Sequence, residues 1–145
     1  MFEVGIVRKF HARHYLVGDF GEETQPHGHD YRVEWTCRTE KLDQNGFSVD
    51  IALMEEALDV VLAGVSGVLL NDREYFRGRQ PSVEHLALFL WRELKDALDQ
   101  RGFELSGMEG TEVRIWESDT AWASYSTDDP GAQRGSQPPT GAPRT

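Results

Sequence analysis

Several things are scarce in this chain of 145 residues, and each scarcity excludes something. It has a single cysteine, Cys37, so no disulfide can close within it and a reducing compartment is expected. No apolar stretch approaches the roughly 20 residues that a membrane-spanning helix requires. Met1-Phe2-Glu3 lacks the basic start and apolar run of a secretory leader, so a cytoplasmic location is expected. Positive charge is also short: 15 Lys and Arg face 25 Asp and Glu, for a net charge of -10. Without a basic stripe, binding to a nucleic-acid backbone is not expected as the main task.

The length suits one domain with a real core. Phe2 to His14 alternates as a strand, with Phe10, Ala12 and His14 on one face. Residues 18–26 are rich in Gly and acid and read as a loop. Tyr31 to Thr39 is a second strand: Tyr31, Val33, Trp35 and Cys37 share one face, and Arg32, Glu34, Thr36 and Arg38 the other. Cys37 therefore reads as a small strand residue rather than a nucleophile. Asp50 caps a helix with apolar positions at Ile51, Met54, Leu58, Val61 and Val65, closed by Gly64 and Gly67. Residues 71–79 form a charged loop. Ser82 opens a second helix, with Glu84 in its first turn and an apolar stripe from Val83 to Leu98. Residues 111–117 and 121–125 read as two more strands, with Val113, Ile115 and Glu117 on one face. From about residue 127 Pro, Gly, Ser, Gln and Arg dominate, and a disordered tail over 127–145 is expected behind a single domain over 1–126.

The order is thus ββααββ, an α+β layer with two helices on one face of a four-stranded antiparallel sheet. The other face has no element of this chain to cover it. With Trp35, Trp116, Trp122 and Tyr125 on so small a sheet, a homo-oligomer is expected.

The chemistry centres on His27-Gly28-His29. In an extended segment both imidazoles face one way, and Gly28 places no side chain between them. His14, at the end of the first strand, offers a third imidazole if the two strands are neighbours. Three neutral nitrogens would leave zinc one open position, as catalytic zinc sites do. Two surface histidines and one core histidine are the alternative.

Phe10-x-Ala12-x-His14, His27-Gly28-His29-x-Tyr31, Asp50, Asn71-Asp72, Pro81-Ser82-x-Glu84 and Glu117-Ser118 follow one another in an order and spacing that resembles the 6-pyruvoyl-tetrahydropterin and 6-carboxytetrahydropterin synthase family, over about residues 2–126. The resemblance implies the tunnelling fold: trimers of the four-stranded unit close a β-barrel, and two trimers stack into a hexamer. It implies zinc on His14, His27 and His29, and a pterin anchored by Glu117, whose carboxylate would accept from the ligand's amino and ring N–H groups. It sets Ser82 near the pterin ring, where a helix cap is the other reading. The implied activity is that of a zinc-dependent lyase or cyclase on a dihydropterin of the dihydroneopterin triphosphate type. A diverged member with another biosynthetic substrate, or a non-catalytic zinc- and pterin-binding protein, is the alternative. Two departures stand out. The family's cysteine, four residues before the HGH, is Glu23 here, and its Asp-His pair is Ser66-Gly67. Glu23 is then the candidate base, or one of several solvated acids beside Asp19 and Glu22. Some family members use a glutamate in this loop, three residues before the first histidine, where this chain has Thr24.

Overall fold

The computed structural model describes residues 1–103 and 108–127. Strand β1 (Phe2–His14) pairs antiparallel with β2 (His27–Thr39), β2 with β3 (Gly110–Trp116), and β3 with β4 (Trp122–Thr127), so the sheet order follows the chain. Helices α1 (Ile51–Ala63) and α2 (Val83–Gln100) lie on one face, α1 against β1 and α2 against β3 and β4. The expected ββααββ order is what is found. Thr127 closes β4, and residues 128–145 of the expected tail lie outside the described residues.

Both caps form as read. The Asp50 carboxylate accepts from the Ala52 and Leu53 amides, and the Ser82 hydroxyl from His85. Each satisfies helix N–H groups that would otherwise lack partners. Residues 71–79 are not a plain loop: single 3₁₀ turns form at Leu70–Asp72 and Glu74–Phe76, and Phe76 is buried. Strand β2 begins four residues earlier than expected, at His27, because His14 pairs with His27 and Ala12 with His29. Cross-strand partners supplied what local β-propensity around Gly28 did not.

Alternation holds on both faces. Ile6, Phe10, Ala12, Tyr31, Val33, Trp35, Cys37, Val113 and Ile115 are buried under the helices. Trp35 belongs to this core, its indole N–H donating to the Thr111 hydroxyl at 2.8 Å, and Tyr125 packs edge-on against Trp91. Of the four aromatics expected to argue for assembly, only Trp116 and Trp122 lie on the open face, paired across β3 and β4. The reason is pleat parity, which sends Trp35 and Tyr125 to the helix side.

Within one chain the sheet is open. Its β1 edge is covered near the histidines by the segment after α1: Gly67 donates to the His11 carbonyl at 2.7 Å, and Arg13 to that of Val68 at 2.9 Å. No helix among the described residues is long and apolar enough to cross a membrane.

Candidate metal centre

His14, His27 and His29 come together on the helix-covered face, where β1 ends and β2 begins. Their register makes this unavoidable: His14 and His27 are direct partners, and His29 is two residues along the same face. Ring centroids are 4.5 Å apart for His14–His27 and 5.0 Å for the other two pairs, all edge-on. One ligand nitrogen from each ring lies within 4.8 Å of the others.

Main-chain carbonyls decide which nitrogens are available. His14 Nδ1 is 2.7 Å from the Pro81 carbonyl, and His27 Nδ1 is 2.7 Å from that of Gln25. A carbonyl only accepts, so each Nδ1 carries the proton and each Nε2 keeps its lone pair. His14 is 3 % exposed, and its Nε2 and that of His29 are buried without a hydrogen-bond partner. Buried polar atoms are rarely left so, because the loss of water goes uncompensated. A cation accepting three nitrogen lone pairs resolves that deficit. Borderline-soft nitrogen donors, with the second nitrogens of His14 and His27 held by carbonyls, suit zinc. Burial, and then the two neighbouring imidazoles, hold His29 below the ordinary histidine range, against the opposing pull of Glu117 and, more weakly, Glu23. The neutral ring is the ligand form.

Glu117 follows β3 and reaches the same end of the sheet. Its Oε1 is 3.0 Å from His29 Nε2, but the alignment is not that of a hydrogen bond, so the carboxylate keeps its accepting capacity. Tyr31 walls the site: its ring stacks on Phe10 at 5.2 Å and meets the ring of His29 at 5.4 Å. Burial, then Glu117, pushes its phenol up, so it stays protonated.

Glu23 lies in a 3₁₀ turn, Gly21–Thr24, and is exposed; its main-chain oxygen accepts from Leu16 at 2.8 Å. It is close enough to act electrostatically on His29. Ser82 caps α2. Ser66 donates to the Leu62 carbonyl at 2.8 Å, and Gly67 pairs with β1, so the stretch standing in for an Asp-His pair serves the backbone.

Gly28 has a reason that spacing does not reveal. Its open side faces away from the histidine cluster, and a Cβ there would sit 2.7 Å from the His11 ring. The roles of Gln25 and Pro81 are equally hidden, because both act through main-chain oxygens. A proline shortly before a helix was the one available signal.

Residues 3–128 match the family model described as 6-pyruvoyl tetrahydropterin synthase. Among solved structures the chain is similar to the 6-pyruvoyl tetrahydropterin synthase of Caenorhabditis elegans, at 23 % identity and a TM-score of 0.73, covering 86 % of this chain and 94 % of that one. It is similar to that of Plasmodium vivax at 15 % identity and a TM-score of 0.71, covering 88 % and 99 %. The Plasmodium falciparum protein gives 16 % identity and a TM-score of 0.69, covering 88 % and 98 %. At these identities the likeness shows the fold. Two further structures of the P. vivax protein replace a glutamate described as its catalytic residue, one by alanine and one by cysteine. No curated protein matches the chain.

Proposed function

The chain belongs to the 6-pyruvoyl tetrahydropterin synthase family, and from that premise we propose that it is a zinc-dependent lyase or cyclase acting on a dihydropterin of the dihydroneopterin triphosphate type. The observation that carries this reading is the pair of buried, unpartnered Nε2 atoms on His14 and His29, with His27 beside them. His14, His27 and His29 would hold the metal. Zinc bound there would supply Lewis acidity toward vicinal oxygens of the substrate side chain.

The remaining work falls to the protein's own groups. Glu117 would anchor the pterin by accepting from its amino and ring N–H groups, a two-point match that sets orientation. Ser82 can keep its cap, which uses a lone pair, while its O–H donates to the ring. Glu23 would take the side-chain proton. A carboxylate serves as a general base when its partner hydroxyl is acidified. That a glutamate is described as a catalytic residue of the P. vivax protein supports a carboxylate as a catalytic group here. Assembly as a hexamer, a dimer of trimers, is supported by the edges of β1 (from Phe2 to Phe10) and β4, which pair with no further strand among the described residues, and by Trp116 and Trp122 on the open face. The single buried cysteine fits a cytoplasmic setting.

One observation favours a second reading. Ser66 and Gly67 are committed to the backbone and offer no proton relay. A diverged enzyme with another biosynthetic substrate, or a non-catalytic zinc- and pterin-binding protein, fits that loss. The test is to incubate the zinc-loaded protein with dihydroneopterin triphosphate and read the products by mass spectrometry. Loss of the triphosphate or shortening of the side chain is expected. Unchanged substrate that is nevertheless bound selects the second reading.

A further inference from the structure

Beyond His14 the chain leaves the sheet, and the segment from Tyr15 to Pro26 carries Glu23 back to His27. Little apolar burial holds it there: Val17 is 66 % exposed and Phe20 50 %. Its main chain is instead held by two side-chain amides. Tyr15 donates to Asn71 Oδ1 at 3.0 Å, and Asn71 Nδ2 donates to the Tyr15 carbonyl at 2.9 Å. Two residues on, Val17 donates to Gln80 Oε1 at 2.7 Å, and Gln80 Nε2 to the Val17 carbonyl at 3.1 Å. Each amide thus makes the two-bond pairing that a neighbouring strand would make, at alternate residues. These continue along the edge where Gly67 and Val68 pair with His11 and Arg13. Leu16, which points its amide the other way, donates to the Glu23 carbonyl at 2.8 Å. The two amides and Leu16 therefore form one continuous link from β1 to Glu23.

We propose that Gln80, with Asn71 beside it, is the positioning residue that holds Glu23 over the three-histidine cluster. The proposal rests on the reading of Glu23 as the base. Gln80 suits the role because its own main chain and that of Pro81 are fixed: the Gln80 carbonyl accepts from His85 Nδ1 and the Pro81 carbonyl from His14 Nδ1, both at 2.7 Å. One short segment thus places the metal ligand through a carbonyl and the Glu23 loop through a side chain. Removing the side chain separates the two, since the carbonyl bonds survive any substitution.

The experiment compares the full-length protein with Gln80→Ala and Gln80→Glu. Glutamate can still accept from the Val17 amide but cannot donate to its carbonyl. Amide exchange at Leu16 should rise about ten-fold or more in Gln80→Ala, and less in Gln80→Glu, while Arg13 exchange stays unchanged. In cobalt-loaded protein with ¹³C-labelled glutamate, the Glu23 carboxylate signal, assigned by its absence in Glu23→Gln, should be strongly shifted by the paramagnetic ion. That shift should collapse in Gln80→Ala although cobalt still loads. A wild-type Leu16 exchange rate or a retained Glu23 shift in Gln80→Ala overturns the positioning role. An unshifted Glu23 in the wild-type protein overturns the base reading itself, and cobalt failing to load overturns both.

Discussion

His14 and His11 stand three residues apart on one strand and illustrate two fates of the same side chain. His14 faces the helices, with Nδ1 fixed by a main-chain carbonyl and Nε2 buried without a partner. His11 faces the open side, is 53 % exposed, and meets the Asp30 carboxylate, itself 89 % exposed, at 2.9 Å. An exposed pair of that kind contributes little, because water and salt screen it and both side chains lose freedom. A carbonyl from a distant segment is different: it sets the tautomer and costs no side-chain entropy of its own. The same strand pair therefore carries a prepared donor cluster on one face and solvated charge on the other.

The largest expected effect sets these faces against each other. Purified protein should hold about one zinc per chain, and His27→Ala with His29→Ala should abolish it, whereas His11→Ala should leave it intact. Metal analysis checks this, and equal loss in His11→Ala would show that the faces do not differ as described. Next comes Glu23→Gln, expected to retain zinc and the oligomer while turnover of dihydroneopterin triphosphate falls by about 10²–10⁴-fold; full turnover would move the base elsewhere. Glu117→Gln replaces an acceptor with a group that also donates. It should weaken pterin binding by about 2–3 kcal/mol, read by calorimetry, the scale of hydrogen bonds to a charged group.

Smaller effects probe the packing beneath. Burial pushes the Cys37 thiol up to about 12, the Thr111 hydroxyl opposing. The folded protein should thus resist alkylation at pH 8, and fast labelling would deny the burial. The unfolded chain ionises this thiol from about pH 9 while the folded chain keeps its proton, so stability should fall as pH rises through that window. The mildest change is Gly28→Ala. The added methyl would press on the His11 ring, an exposed side chain able to swing aside, so a stability loss below about 1 kcal/mol with full zinc content is expected. Loss of zinc would instead mean that Gly28 shapes the metal side.

Much of the site was legible. Alternation alone put Phe10, Ala12 and His14 on one face, and His27 and His29 on one face, since a period of two needs only neighbours in the chain. The caps at Asp50 and Ser82 were legible for the same reason: their partners lie two or three residues away. Alternation could not say which face would be covered for Trp35 and Tyr125, nor that Gly28 opens toward His11.

By itself the sequence determined the ββααββ order, the faces of each strand and which histidines share a face, all properties of local period and residue chemistry. Tertiary structure alone decided that His14 would meet His27 in register, that Pro81, 67 residues away, would fix its tautomer, and that Glu117 would close on His29. A main-chain carbonyl is the same in every residue and leaves no mark in composition or spacing. Only folding shows which one is brought against an imidazole and which nitrogen is left open.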